Sequence, residues 1–370
     1  MSTDTWRHLL DPELEPVLAA LPDVDFDDYV AFREASARGG AKRATEVDTT
    51  GVAVSDHVVE ASGRQVRLYQ PQYAGAVPRP ALLHMHGGGF VSGNADTGHG
   101  RNVELARELG VVIASVDYRL APEHPYPAAL DDCLAALRWL SDRATSLGVD
   151  LDRIAVHGIS AGGGLAAAVA MRSRDDDVPG LCFQFLALPI LDDRLETSGM
   201  QRHLDTPVWN RPVAEVSWRH YLGDVSPGAP DVPVLAAPGR AAVEELVGLP
   251  SAYVAVVALD PLCDEGLEYG PAAVGCRRVR GGPRVPRCVP RLVDDAARRR
   301  RVPQPGERGG CGTRASAGSG SAAQVARAPA SRSATSGAVS KYSRRAVMRP
   351  SASSKTLAAR MENSSLPSRS

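Results

Sequence analysis

The sequence predicts an α/β fold with a mostly parallel central sheet flanked by helices, and three observations lead to it. Short apolar runs of strand length recur from about residue 80 onward. Segments with apolar residues at three- and four-residue steps separate them, and this alternation is the pattern of a parallel sheet covered by helices. Two of the runs end in glycine-rich turns.

Taken in order, residues 5–20 and 25–37 read as two short helices, punctuated by Pro22 and the Gly39–Gly40 pair. The stretch VAVSDHVVEASGRQVRLYQP, 52–71, holds two β-rich runs around Ser62-Gly63 and predicts a hairpin. ALLHMHG (81–87), VVIASVDYR (111–119), RIAVHGIS (153–160), LCFQFLALPIL (181–191) and AYVAVVALD (252–260) read as strands buried on both faces. In 127–147, Leu130, Cys133, Leu134, Leu137 and Leu140 form a helical apolar stripe, with Asp131, Asp132 and Arg138 off it. Residues 195–245, with Trp209, Trp218 and several prolines, break the rhythm and read as an insertion or lid over one end of the sheet.

The net charge of −1 over 370 residues hides two opposed parts. Residues 271–370 carry 21 Lys+Arg against 4 Asp+Glu, whereas 1–270 carry 21 against 39. The basic part has one aromatic, Tyr342, and no apolar run of strand length, so it is expected to be disordered. A nucleic-acid arm would show aromatic interleaving or a motif, and neither is present. None of the six cysteines stands in CxxC spacing, which argues against a zinc site or other metal centre and fits a reducing compartment. The acidic, amphipathic start does not read as a signal peptide, and no run approaches a membrane span, so a cytoplasmic location is expected.

Gly158-Ile159-Ser160-Ala161-Gly162 follows an apolar run and opens a small-residue helical stretch. This is the strand–turn–helix setting of a nucleophile elbow, in which the turn lifts the Ser160 hydroxyl to a helix N-terminus. Alone, the pentapeptide also suits a plain glycine-rich turn. His86-Gly87-Gly88-Gly89 ends the strand at 81–87 and offers backbone N–H groups for an oxyanion hole. The other use of such a loop, cradling phosphate, would call for a Lys-Ser/Thr pair or G-x-G-x-x-G spacing, which are missing.

Four blocks together carry a specific resemblance. His86-Gly87-Gly88-Gly89-Phe90, the run Asp117-Tyr118-Arg119-Leu120-Ala121-Pro122-Glu123-His124-Pro125-Tyr126-Pro127, Gly158-x-Ser160-Ala161-Gly162-Gly163, and Asp260-Pro261-Leu262-x-Asp264-Glu265-Gly266 resemble, in this order, the hormone-sensitive-lipase branch of the α/β-hydrolases. The resemblance covers roughly 1–270. It implies an α/β-hydrolase fold with a helical cap made partly by the N-terminus, and hydrolysis of carboxylic esters of short to medium acyl chains through an acyl-enzyme, without a cofactor. The partner implied is a small-molecule ester.

Residue by residue, Ser160 corresponds to the nucleophile and Asp260 to the acid that orients the base. The backbone N–H groups of Gly88, Gly89 and Ala161 correspond to the oxyanion hole, with Gly87 shaping its loop. Read alone, Asp260 would also serve as a helix N-cap before Pro261. Glu123 and Tyr118 are assigned structural roles. Ile159 stands where the family usually has an acidic residue.

The larger departure concerns the base. In this branch the order is Ser, acid, His, yet all nine histidines lie at or before His220, so none follows Asp260. His84, His86 and His157 belong to the strand ends, and His203 and His220 read as polar lid residues. Read one base out of frame, with Arg from its fourfold codon box, 275–292 permit AAGV-x-VE-xxx-YPGAFHG, the family's segment around its histidine except for a Phe after the final Gly. The expected organisation is therefore cap helices over 1–45, an α/β-hydrolase domain over 46–270 that lacks its last strand and helix, and a frameshifted basic tail over 271–370. A non-catalytic small-molecule binder of the same fold is the rival expectation.

Overall fold

The structure, a computed structural model, describes residues 13, 15–19, 25–73, 78–175 and 179–273. The expected first helix is described as α1, Glu15–Ala19, and the expected tail from 274 onward lies outside the described residues.

A sheet in the order β1-β2-β4-β3-β5-β6-β7 forms the centre. Its strands are β1 (Val52–Val59), β2 (Arg64–Pro71), β3 (Arg79–Met85), β4 (Val112–Asp117), β5 (Val149–Ile159), β6 (Phe183–Ala187) and β7 (Ala252–Ala255). The β1–β2 and β2–β4 pairs are antiparallel, the first being the expected hairpin, and the remaining pairs are parallel. The register sets His84 beside His157 and Met85 beside Gly158. The loops that leave β3 and β5 therefore emerge side by side at the carboxyl edge of the sheet, where open parallel sheets bind their ligands.

Helices cover both faces. The main core joins the sheet to α4 (Ala128–Asp142) and α6 (Ala161–Asp175), and a second cluster packs α3 (His99–Leu109) on Val52, Tyr69 and Ile113. Leu130, Cys133, Leu134, Leu137 and Leu140 are buried as expected. Asp132, expected off the stripe, is buried as well, because its carboxylate takes the Arg119 Nε and Nη2 at 2.9 Å each. The predicted helix 127–147 divides at Arg143 into α4 and α5 (Ala144–Leu147).

Two other expectations need correction. α2 (Tyr29–Thr45) starts at the Asp28 cap and runs through the Gly39–Gly40 pair that was expected to end it. Gly40 is the buried residue of this helix, and packing there outweighs glycine's weak helix propensity. The strand expected over 252–260 stops at Ala255. β7 pairs on β6 alone among the described residues, so its ladder is short and Tyr253 stays exposed. The irregular 195–245 region holds α7 (Ser198–Arg202), α8 (Arg211–Leu222) and two turns of 3-10 helix. No described helix is long and apolar enough to cross a membrane.

Candidate active site

β5 ends at Ile159 and α6 begins at Ala161, leaving Ser160 alone in the turn with φ of +56°. This left-handed conformation costs a non-glycine residue about 1–2 kcal/mol. Four backbone hydrogen bonds hold it. Ser160 N–H donates to the Ala187 carbonyl at 2.9 Å, and its own carbonyl accepts from Gly163 (2.8 Å), Ile190 (3.1 Å) and Gly164 (3.2 Å). Gly162 must be glycine, because a Cβ there would overlap the carbonyl oxygens of Met85 and His86. The strain is thus fixed by close helix–strand packing, and Ser160 Oγ has no hydrogen-bond partner among the described residues.

The loop after β3 lies directly on this turn. A Cβ at Gly87 would stand 3.4 Å from Ser160 Cβ and 3.1 Å from the Ile159 carbonyl oxygen. The loop's carbonyls are held from behind. His86 Nδ1 lies 2.9 Å from the Gly87 carbonyl oxygen, so Nδ1 carries the proton and donates it. Burial lowers the His86 pKa to about 4, which keeps the ring neutral, and Tyr118 stacks on it at 4.1 Å. The Gly88 carbonyl accepts from Val91 N–H (3.1 Å), Ser92 N–H (2.9 Å) and Ser92 Oγ (3.2 Å). In a trans peptide the N–H points opposite to the C=O. The Gly88 and Gly89 N–H groups therefore face away from these anchors, and neither donates to another described residue. Ala161 N–H is the first of α6, where helix geometry leaves donors unpaired. Three such donors around a strained serine can hold the oxygen of a tetrahedral adduct.

A family model described as "alpha/beta hydrolase fold" matches residues 82–278. The chain belongs to the α/β-hydrolase family. It is 36% identical over 268 residues to Carboxylesterase NlhH of Mycobacterium tuberculosis, a match covering 70% of this chain and 82% of NlhH. With Esterase LipI of the same species it shares 44% identity over 193 residues, 52% of this chain and only 58% of LipI's length. Among solved structures, the Bacterial Heroin Esterase superposes with a TM-score of 0.68 at 44% identity, covering 71% of this chain and 84% of that one. Esterase LipW from Mycobacterium marinum gives a TM-score of 0.65 at 39% identity, covering 72% and 82%.

In this hydrolase the acid expected of the triad, Asp260, lies in the turn after β7, two strands along from the elbow. Its Oδ1 accepts Leu262 N–H at 2.8 Å and closes a turn just before α9 (Cys263–Ala273), so Asp260 is not the N-cap its sequence position allowed. Burial pushes its carboxyl pKa up, against the Leu262 hydrogen bond and the charge of His203, which pull it down. His203 follows α7, whose Gly199 N–H donates to Asp264 at 2.7 Å, and its Nδ1 is buried without a partner. His84 and His157 stack beneath the elbow with their Nδ1 atoms 2.8 Å apart, both driven toward the neutral form by burial. His220 Nε2 bonds the Phe26 carbonyl at 2.9 Å.

Two further parts of the hydrolase's site were not read from the sequence. Arg33, on α2, donates from Nε to the Val91 carbonyl and from Nη2 to that of Ala121, both at 2.9 Å, and clasps Glu123 with both terminal nitrogens at 2.9 Å. It ties α2 to the loop after β3 and holds Glu123 in an ion pair. From the other side, α8 sets Trp218 and Tyr221 on Phe90, at ring distances of 5.6 and 3.9 Å, so the 195–245 region packs next to the 86–89 loop. The spacing of Trp218 and Tyr221 on one helix face was the available signal, but nothing in it named the surface they meet.

Proposed function

We propose that this chain is a serine carboxylesterase of the α/β-hydrolase fold, acting on small esters of short to medium acyl chains in the cytoplasm. The observation that carries the reading is the Ser160 hydroxyl, held in a left-handed turn against a loop whose Gly88 and Gly89 N–H groups, like that hydroxyl, have no hydrogen-bond partner among the described residues. Ser160 Oγ attacks the ester carbonyl, and its proton passes to a base. The N–H groups of Gly88, Gly89 and Ala161 take the negative oxygen. The alcohol leaves with a proton, and water then releases the acid from the acyl-enzyme. Asp260 is the group that would hold a basic histidine in the working tautomer.

The base itself is the incomplete part, since no histidine follows Asp260. We read residues 271–370 as a translation displaced by one base near codon 270, with the histidine surviving in the neighbouring frame under Pro290. The end of the family match at 278 supports this reading. Resequencing codons 265–295 tests it. The same missing histidine is the single observation that favours the second reading, a binder that does not turn over its ligand.

The deciding experiment compares p-nitrophenyl butyrate hydrolysis by the 370-residue chain, the frame-restored chain and Ser160→Ala in each. The restored chain is expected to turn over the ester, and Ser160→Ala to abolish it. The 370-residue chain is expected to be slower by up to about 10⁶. Full activity without the restored histidine would overturn the missing-base argument. Binding without turnover in the restored chain would favour the second reading.

A further inference from the structure

Gly89 is held differently from its neighbours, by a residue of the cap. Ser217, on α8, donates its hydroxyl proton to the Gly89 carbonyl at 2.7 Å. Ser217 is 1% exposed, and among the described residues it is the donor this carbonyl has. A serine inside a helix ordinarily turns its hydroxyl back to its own helix's carbonyls; this one reaches across 128 residues of chain. One turn further along the same face, His220 holds the carbonyl of Phe26, and the Phe26 ring lies where a Gly89 side chain would be, 2.5 Å from its Cβ position. Gly89 is thus enclosed by α8 and by a segment that α8 also fixes.

Gly89 adopts φ of +59°, a conformation that a glycine enters and leaves freely. Its two dihedrals become fixed when the peptide planes on both sides are held. Ser92 and Val91 hold the plane before it through the Gly88 carbonyl. Ser217 holds the plane after it. We propose that Ser217 is a positioning residue for the oxyanion hole, through which cap helix α8 keeps the Gly89 N–H aimed at the reacting oxygen. This rests on the esterase reading of the site. It makes the placement of the cap a condition for stabilising the transition state as well as for shaping the pocket.

The test uses the full chain with Ser217→Ala and Ser217→Cys. Alanine removes the hydroxyl, and cysteine fills its space while donating only weakly. The first readout is labelling of Ser160 by an alkyl fluorophosphonate. In that step the Ser160 Oγ–P bond forms as fluoride leaves and the hydroxyl proton goes to solvent, with the phosphoryl oxygen in the oxyanion hole. Misplacing one donor is expected to slow the maximal labelling rate roughly tenfold to a hundredfold in both variants, with the concentration for half-maximal rate unchanged. The second readout is amide hydrogen exchange across 87–92, expected to quicken on the order of tenfold in both variants while α8 keeps its protection. Cysteine restoring the parent rate would mean that Ser217 only fills space, and would overturn the proposal. So would unchanged labelling and exchange in Ser217→Ala. If neither this parent nor the frame-restored chain labels at Ser160, the esterase reading has failed; exchange across 87–92 then decides alone, and an unchanged rate overturns the clamp.

Discussion

Glu265 offers a quantitative test of how the segment that carries Asp260 is joined to the turn at Ser160. It lies in the first turn of α9 (Cys263–Ala273), 3% exposed. Its Oε2 accepts Leu191 N–H at 2.8 Å and Asp192 N–H at 3.0 Å, while Oε1 is buried with no partner among the described residues. The adjoining Ile190 N–H holds the Ser160 carbonyl, so one carboxyl links α9 to the elbow. Burial raises the Glu265 pKa from 4.5 to about 8, with the charges of Asp192 and Asp260 adding to the rise and the two N–H groups opposing it. The folded state therefore keeps a proton that the unfolded chain releases. Where that holds, stability falls as pH rises, by about 1.36 kcal/mol per unit for this group. The loss begins near the unfolded value of 4.5 and ends near the folded value of about 8. Glu265→Gln keeps an acceptor for both N–H groups and a donor like that of the neutral acid, but cannot ionise. Relative to the parent it is expected to gain about 3 kcal/mol on going from about pH 5 to about pH 7.5. Urea unfolding followed by tryptophan fluorescence at both pH values measures this. A stability difference that does not change with pH would refute the reasoning, whichever sign it has.

Two further substitutions test the supports of the site. Gly162→Ala would force a Cβ onto the Met85 and His86 carbonyls and separate α6 from β3; a loss of about 3 kcal/mol or more is expected, read as a lowered Tm and soluble yield. Arg33→Ala removes the clasp on Val91, Ala121 and Glu123, and because the pair is partly exposed the loss in global stability is expected to be about 1–2 kcal/mol. Proteinase K should then cut within 25–45 faster than in the parent, and an unchanged digestion rate would show that Arg33 does not hold the cap.

Much of the sheet was legible because its strands are locally encoded. The apolar runs at 81–87, 111–119 and 153–160 matched β3, β4 and β5, which lie inside the sheet and are covered on both faces. The run at 252–260 was read too long because apolar composition alone promises neither burial nor pairing: Tyr253 and Val257 are exposed, and β7 has one partner among the described residues. Asp132 was misplaced for a related reason: a helical wheel assigns a carboxylate to solvent, and only the fold brings Arg119 to it. At the candidate site, the turn at Ser160 and the glycine loop at 87–89 were legible because each belongs to a motif a few residues long. Arg33, Ser217 and Glu265 were not, because their partners lie 58 to 128 residues away in the chain.

On the proposed esterase reading, that division bears on what the lack of a histidine after Asp260 would take from the protein. The strain at Ser160 is held by β3, β6, Ile190 and the first turn of α6, all of them before Asp260. The loop proposed to form the oxyanion hole is held by His86, Ser92 and Ser217, also before it. Neither support draws on the triad's base. An oxyanion hole and substrate binding alone sustain about 10³–10⁴-fold catalysis over water when a triad is broken. The 370-residue chain should therefore keep a weak, Ser160-adjacent reactivity set by its donors, with the large remaining factor waiting on one imidazole. Because no histidine serves as base in that reaction, the residual rate should rise with hydroxide, without the inflection near pH 6.5 that a triad histidine gives.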